Sequence, residues 1–198
     1  MFFIDFFSDF NLYEVFKVGA LLLPVIDVVG GIPLVAKIKA RTGMLQPAKT
    51  TFFSGLILFL FLFAGSYVLD LYEIERSAFS AAGGLILLTM GIEIILNVRI
   101  FRINIHDLDN VALTPLAFPL IAGTGTMARL LTLPADYALV NISGGILLNL
   151  IWVYIVLHYM NRITWLIGKP LMMILQKMIG LLLLAIGFQL LKDGFLAS

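Results

Sequence analysis

The chain contains no cysteine, and only 13% of its residues are charged. The absence of cysteine excludes disulfide bonds, thiolate metal sites and thiol redox chemistry. The two histidines, His106 and His158, are isolated from each other and lack the spacing of metal ligands. No paired carboxylates and no nucleophile–base arrangement are visible. The sequence therefore predicts neither an enzyme nor a bound metal or cofactor.

Charge is also too sparse and too scattered for a nucleic-acid partner. The net charge is +1, and the basic residues sit in short loops rather than on one basic face. Hydrophobic residues make up 61% of the chain and the mean hydropathy is +1.06. Ordinary globular proteins are about 45–50% apolar and about 25% charged. A soluble fold of 198 residues has too few charges to cover so much apolar surface, so the expected surroundings are a lipid bilayer.

Six segments are long and apolar enough to cross a bilayer, which requires roughly 20 mostly apolar residues. They run over about 12–38, 50–71, 78–98, 111–133, 137–159 and 171–191. The linkers between them are too short to hold a soluble domain, so residues 1–198 are predicted to form one six-helix transmembrane domain. The first residues lack a basic n-region and a small-residue cleavage motif. The first helix is therefore expected to act as an uncleaved insertion signal.

Lysine and arginine are distributed unevenly over the predicted loops. Eight lie in the first, third and fifth loops: Lys37, Lys39, Arg41, Lys49, Arg99, Arg102, Arg162 and Lys169. Three lie on the opposite side: Lys17, Arg76 and Lys192. Because basic loops stay in the cytoplasm, this asymmetry predicts an inner-membrane protein with both termini in the periplasm.

The chain repeats itself at an offset of about 95 residues. The run from Gly84 to Glu93 in the third segment resembles the run from Gly180 to Gln189 in the sixth, and Pro24 to Gly31 in the first resembles Pro119 to Thr126 in the fourth. A unit of three helices reverses the direction of the second copy. The predicted fold is an all-α membrane protein in which two inverted three-helix repeats, about 12–98 and 111–195, form the six transmembrane helices. Inverted repeats are typical of transporters whose substrate site lies at the repeat interface.

The first and fourth segments contain proline and glycine at equivalent places, which predicts broken helices. A break at membrane depth persists only where it is buried in protein or lines a wet cavity. The freed N–H groups of such a break are able to hold an anion. The predicted substrate-binding residues are Asp27, Gly30, Gly31, Pro119, Ala122, Gly123, Thr124, Gly125 and Thr126. The alternative is a pair of kinks that only assist packing.

Asp27 lies near the centre of the first segment, where a charge costs about 2.5–3.5 kcal/mol on insertion scales. It is expected to face the bundle interior and to bind a substrate ammonium group, a coupling cation or a proton; a purely structural carboxyl is the alternative. Three further residues are secondary candidates: Glu93, Arg129 and Gln189. Arg129 is either a partner for a carboxylate or a side chain that reaches the headgroups. A large side chain at Gly125 is expected to block substrate access.

The run Asp27-Val-Val-Gly30-Gly31-Ile-Pro33 and the block from Pro115 to Thr126 resemble the MarC family of bacterial membrane proteins. A third likeness is the pattern from Gly180 to Gln189, so the resemblance covers nearly the whole chain. It implies six helices, an inner-membrane location and, from some members, transport of neutral amino acids. Two positions depart from the family pattern, because Val28 and Thr124 stand where the family typically has proline.

The sequence therefore predicts a secondary transporter of small zwitterionic solutes, most simply neutral amino acids, working by alternating access. Asp27 would meet the ammonium group or carry a coupling proton, and residues 123–126 would meet the carboxylate. Two alternatives remain: a channel or ion-coupled carrier for another small solute, and a non-transporting membrane scaffold. A polar cavity beside Asp27 would favour transport and dry packing would favour the scaffold. The expected partners are a small-molecule substrate and the bilayer, and a homo-oligomer is compatible with the sequence.

Overall fold

The structure is a computed structural model that describes residues 9–28, 31–32, 35–36, 39, 45–98 and 121–196. All regular secondary structure in these ranges is helical. The helices are α1 (Leu12–Leu22), α2 (Pro47–Leu71), α3 (Arg76–Leu96), α4 (Thr124–Thr132), α5 (Leu139–Gly168) and α6 (Pro170–Leu196). Within the described ranges α2, α3, α5 and α6 are long and apolar enough to cross a membrane. The chain is therefore an all-helical, multi-pass membrane protein.

The first predicted segment is broken, as its prolines and glycines indicate. Asn11 caps α1, with its side chain accepting a hydrogen bond from the Tyr13 amide at 3.0 Å. The helix ends at Leu22 because Pro24 has no N–H to donate to the preceding turn. Within the break the Ile26 amide still donates to the Leu22 carbonyl at 2.9 Å, and the Gly31 amide donates to the Asp27 carbonyl at 3.2 Å. The chain between Leu23 and Val28 is irregular.

The ends of the other predicted segments differ from the helices by a few residues. Helix α5 continues to Gly168, nine residues beyond the predicted end, and α6 continues to Leu196 rather than 191. Both helices extend past the apolar stretch because their backbone bonds do not depend on hydropathy. Of the fourth segment the structure describes only the part from residue 121, and positions 111–120 lie outside the described residues.

Three described residues have positive φ: Asn97, which ends α3 with φ of 54°, and one residue in each of two helix–helix connections. Glu73 has φ of 54° in the turn between α2 and α3. Gly168 has φ of 73° and ψ of 162° at the kink between α5 and α6, with Pro170 following. Only glycine adopts this second conformation without strain. The kink allows two helices to follow each other with no loop between them.

The most extensive packing joins α3 and α6, which run antiparallel with their backbones almost in contact. A Cβ atom at Gly84 would lie 2.6 Å from the carbonyl oxygen of Gly187, and one at Gly91 would lie 2.8 Å from that of Gly180. Ser80 Oγ donates to the Leu190 carbonyl at 3.4 Å. Small residues allow membrane helices to approach this closely. The glycines of the repeated sequence therefore form one helix–helix seam.

Helix α1 packs in parallel against the first half of α5, again through glycines. A Cβ at Gly144 would lie 2.9 Å from Val15 Cγ2, and one at Gly145 would lie 3.0 Å from the Gly19 amide nitrogen. Gly55 of α2 faces Leu150 of α5. Together α1, α2 and α5 bury the larger apolar core, which includes Val18, Leu22, Leu58, Ile146 and Val153. This core lies beside the break that follows α1, because Leu22 and Ile26 belong to it.

Candidate functional site

The break after α1 places a carboxyl group inside the protein. Asp27 is only 4% exposed, and the residues around it in the chain, from Pro24 to Val28, are buried as well. A carboxylate facing hydrocarbon would cost about 2.5–3.5 kcal/mol on insertion scales, so burial within the bundle is the favourable alternative. The prediction that Asp27 faces the interior is confirmed.

Residues 122–126, the part of the fourth segment predicted to bind substrate, include the start of α4, which begins at Thr124. Gly123 occupies the N-cap position with extended geometry (φ −78°, ψ 172°) and offers no side chain to cap the helix. The first N–H groups of any helix lack intrahelical partners and carry a partial positive charge. Ala122, Gly123, Gly125 and Thr126 are all buried. The buried end of α4 is thus a set of backbone donors with no side-chain cap.

One hydroxyl group joins the two segments. Thr126 Oγ1 lies 3.4 Å from the carbonyl oxygen of Val25 in the helix-1 break and 3.2 Å from that of Ile121. Thr126 is 2% exposed, so this contact is inside the protein. The break that carries Asp27 and the uncapped start of α4 are therefore neighbours, although about a hundred residues separate them in the chain. Gly31 is described and buried, while Gly30 and Pro119 lie outside the described residues.

The secondary candidates take no part in this contact, although Arg129 is only one turn after Thr126 in α4. Leu87 of α3 touches Gly125, and Glu93 is six residues further along α3, about 9 Å at the helical rise. Gln189 is exposed on α6. Arg129 is partly buried, and its Nη1 lies 3.5 Å from the Thr132 hydroxyl.

Gly125 packs tightly against α3, a contact that the sequence did not indicate. A Cβ at this position would collide with the side chain of Leu87, which is 1% exposed in the packing between α3 and α4. A larger residue at 125 therefore disturbs helix packing before it narrows any access path. The expectation that such a residue blocks substrate access stays a prediction.

The polar cavity expected beside Asp27 stays a prediction, and residues 29–30, 33–34 and 99–120 lie outside the described residues. Two clefts in the described part of the structure are shallow and apolar. Both lie on α2, along Leu56, Leu60, Phe61, Ala64 and their neighbours. They belong to the surface that faces lipid.

Two asparagines of α5 were missed by sequence reasoning and hold α1 in place. Asn149 is 3% exposed, and its Nδ2 donates to the carbonyl oxygens of Gly19 and Gly145, each at 2.9 Å. Asn141 is fully buried; its Nδ2 donates to Glu14 Oε2 at 2.6 Å, and its Oδ1 accepts from the Asn11 amide at 2.9 Å. An asparagine one turn after a glycine in an apolar span was the available signal, because such residues bond across membrane helices.

Helix α2 also carries two buried hydroxyl groups that the sequence analysis passed over. Thr50 and Ser54 are both fully buried. Ser54 Oγ donates to the Thr50 carbonyl at 2.8 Å, whereas Thr50 Oγ1 has no hydrogen-bond partner among the residues that the structure describes. They lie one turn apart on the same face as Leu58, so they extend the core-facing stripe of α2 with polar groups.

Comparison with known proteins gives relatives that match over most of their length. The UPF0056 membrane protein MJ1677 of Methanocaldococcus jannaschii is 31% identical over 156 residues, covering 74% of this chain and 76% of the relative. The UPF0056 membrane protein BU267 of Buchnera aphidicola is 26% identical over 208 residues, covering 94% and 93%. No solved structure matches the chain. The pattern described as MarC family integral membrane protein matches residues 12–197, so the chain belongs to the MarC family of integral membrane proteins.

Proposed function

We propose that this protein is a secondary transporter, not an enzyme, and that it moves small zwitterions across the bilayer by alternating access. Neutral amino acids are the substrate class that best fits the two groups of the site. Asp27 meets the ammonium group or carries a coupling proton, and the uncapped start of α4 at Gly123 meets the carboxylate. Irregular backbone at a repeat interface is where transporters bind their substrates.

The observation that carries the proposal is the contact between the two segments. The Thr126 hydroxyl reaches the Val25 carbonyl, two residues before buried Asp27 and within the first turn of α4. One side of this contact supplies a carboxyl group, and the other supplies amide donors at the positive end of a helix. A zwitterion carries an ammonium group that complements the carboxyl group and a carboxylate that complements the amide donors. A simple anion or a simple cation would use only one.

An inverted repeat supports the same proposal. An offset of 96 residues relates Gly84 to Gly180 and Gly91 to Gly187. Under this relation the contact between Gly84 and Gly187 corresponds to a contact between Gly180 and Gly91, and both contacts are present. Such an exchange is what a two-fold axis between α3 and α6 produces. The two connections with left-handed residues, at Glu73 and Gly168, are likewise 95 positions apart. We infer two halves, about 12–98 and 111–195, related by an axis in the membrane plane.

The proposed location is the bacterial inner membrane with both termini in the periplasm. The support is the sequence asymmetry of eight basic residues in the loops of one side against three on the other. The positive-inside rule assigns the richer side to the cytoplasm.

The test is counterflow in proteoliposomes that contain the purified protein and a high internal concentration of unlabelled alanine, serine, leucine or methionine. External labelled amino acid should accumulate transiently with at least one of the four. Asp27→Asn should abolish most of this accumulation, because the amide can neither pair with an ammonium group nor release a proton at ordinary pH. The matched control is Asp70→Asn, the same change at an exposed position on α2.

Three results would contradict the proposal. No accumulation with any of a full panel of neutral amino acids removes the substrate class. Equal accumulation by Asp27→Asn and the wild type across pH 5–8 removes the role of Asp27. Equal loss in Asp27→Asn and Asp70→Asn, with both variants monodisperse, shows that the loss does not come from the site.

A further inference from the structure

The buried apolar side chains of the described residues form two separate cores. The larger core contains residues of α1, α2 and α5, with a contribution from α4. The smaller core is built on Leu87 of α3 and on Leu183 and Leu190 of α6. Among the described residues, Met172 at the start of α6 is the only buried α6 side chain in the larger core. Two cores separated in this way are expected of two bodies, since each body then keeps its own packing when it moves.

The body formed by α3 and α6, the α3/α6 unit, has the tightest backbone packing. Its seam leaves no room for a Cβ at Gly84, Gly91 or Gly187, where the nearest atoms would be backbone carbonyl oxygens at 2.6–2.8 Å. Near the other end, a Cβ at Gly194 would lie 2.6 Å from the Ser77 carbonyl oxygen. Two helices in backbone contact along this whole length cannot slide past each other by small steps. The pair is therefore a rigid unit.

The second body, the α1/α2/α5 unit, is held together by hydrogen bonds as well as by packing. Asn149 ties the end of α1 to α5, and Asn141 ties its beginning. Lys17 Nζ lies 5.3 Å from the centre of the Tyr137 ring, just before α5 begins. Helix α1 is thus fixed to α5 at both ends, up to the residue where the break begins.

The two broken segments lie where the bodies meet. Val25 belongs to the smaller core, whereas its neighbours Leu22 and Ile26 belong to the larger one. In α4 the same division separates Ala128 from Leu130. The candidate substrate residues therefore lie close to the boundary between the bodies, with Ala122 in the larger core.

The chain passes between the bodies at two sharp connections. Glu73 lies between α2 and α3, and Gly168 lies between α5 and α6. Each connection is short and contains one residue of positive φ between two long helices, which is the kind of element end that absorbs a domain rotation. Phe61 of α2 stacks on Phe79 of α3 with ring centres 5.7 Å apart, an apolar contact able to slip.

We propose that the α3/α6 unit moves as a rigid body against the α1/α2/α5 unit, pivoting at Glu73 and Gly168 and opening the site at the two breaks to one side of the membrane at a time. This inference rests on the proposed transport function and supplies its moving part. Because Val25 and Ala128 belong to the smaller core while Ile26 and Ala122 belong to the larger one, relative motion of the bodies changes the packing around Asp27 and the start of α4. Substrate held between those groups would favour the closed arrangement.

The test is electron–electron distance measurement between nitroxide labels, which needs no transport assay. The chain has no native cysteine, so labelled pairs require only the two introduced ones. One pair, Arg76→Cys with Lys192→Cys, lies within the α3/α6 unit. A second, Tyr13→Cys with Leu139→Cys, lies within the other unit, and the third, Asp136→Cys with Lys192→Cys, joins the two. All five positions are exposed, so the labels leave the cores intact.

Measurements in lipid nanodiscs, with and without an equimolar mixture of alanine, serine, leucine and methionine, should separate the pairs. The distance distribution across the units should be two-peaked or about twofold broader than those within the units, as expected of a hinge motion. Addition of the amino acids should narrow or shift that distribution alone. Three equally narrow distributions that never change would overturn the inference. An active counterflow assay with rigid distances removes this inference only, and mobile distances with no amino-acid counterflow remove the proposed function only.

Discussion

A single buried polar residue, Asn149, helps to fix where α1 ends. The last carbonyl groups of a helix lack intrahelical donors, and in a membrane they cannot turn to water. Gly19 lies in the last turn of α1, and its carbonyl accepts from the Leu23 amide at 3.0 Å and from Asn149 at 2.9 Å. The Asn149 side chain therefore caps this carbonyl in part, although it belongs to a different helix. Its contribution determines the position at which the chain departs toward Asp27.

Replacement of Asn149 by alanine should destabilise the protein by about 0.6–1.7 kcal/mol, the range measured for hydrogen bonds between membrane helices. The physical reason is the loss of both 2.9 Å bonds at a site with 3% exposure. Reversible unfolding in mixed micelles measures the change. Asn161→Ala on the same helix is the control, because that side chain is exposed. Equal stabilities of the two variants would show that Asn149 does not hold α1.

Gly125 gives a second prediction at this scale. Gly125→Ala should lower stability by about 1–3 kcal/mol, the usual cost of overpacking, because the added methyl group meets Leu87. Leu87→Ala creates a cavity by itself, but in the double variant the two changes compensate. The double variant should therefore lose less stability than the sum of the losses of the two single variants. Strict additivity in the same unfolding assay would mean that the two side chains do not compete for space.

At the scale of helices, the α3/α6 seam is the feature that substitutions disturb most directly. The seam glycines face backbone atoms, which cannot rotate away as a side chain does. Gly84→Ala and Gly187→Ala should each destabilise the protein by about 1–3 kcal/mol or more. Gly19→Ala is the matched control, because its Cβ would meet Leu148 at 3.5 Å, an ordinary contact. Unfolding midpoints of the purified variants test this difference. The seam is not tight if all three alanines behave alike.

The helices show which features local sequence was able to predict. Pro24 and the glycines after it predicted the break in the first segment, because a missing N–H and a missing Cβ act within one turn. Hydropathy missed the last turns of α5 and α6, because it measures transfer into lipid and not backbone bonding. The repeated glycines were recognised, but their contact with one another was not. Which distant residues meet depends on the packing of whole helices, as with Thr126 and Val25.

At the scale of the molecule, the contacts determine which helix ends share a side. Helices α1 and α5 begin together, since Asn11 bonds Asn141. Gly55 of α2 faces Leu150, whereas Gly65 faces Leu131, which precedes α5. Helix α2 therefore runs antiparallel to α5 and ends on the side where α5 begins.

The start of α3 follows the end of α2 directly, and the end of α6 lies beside it, with Gly194 against Ser77. The beginning of α1 and the end of α6 are thus on one side of the membrane. This agrees with an even number of spans. The basic residues of the sequence then predict that this side is the periplasm, because Lys49 at the start of α2 lies on the other side.

Single cysteines in this cysteine-free chain test the orientation. Ser8→Cys and Ser198→Cys should react with a membrane-impermeant maleimide in intact spheroplasts, whereas Lys49→Cys should react only after the membrane is permeabilised. Lys49 is exposed, so its protection in intact cells would come from the bilayer and not from burial in the protein. Labelling of all three after permeabilisation is the control for reactivity. The reverse pattern, with only Lys49→Cys labelled in intact spheroplasts, would place the termini in the cytoplasm. The inverted arrangement of the two halves would remain possible in that case, because an axis in the membrane plane relates both faces of the protein to each other.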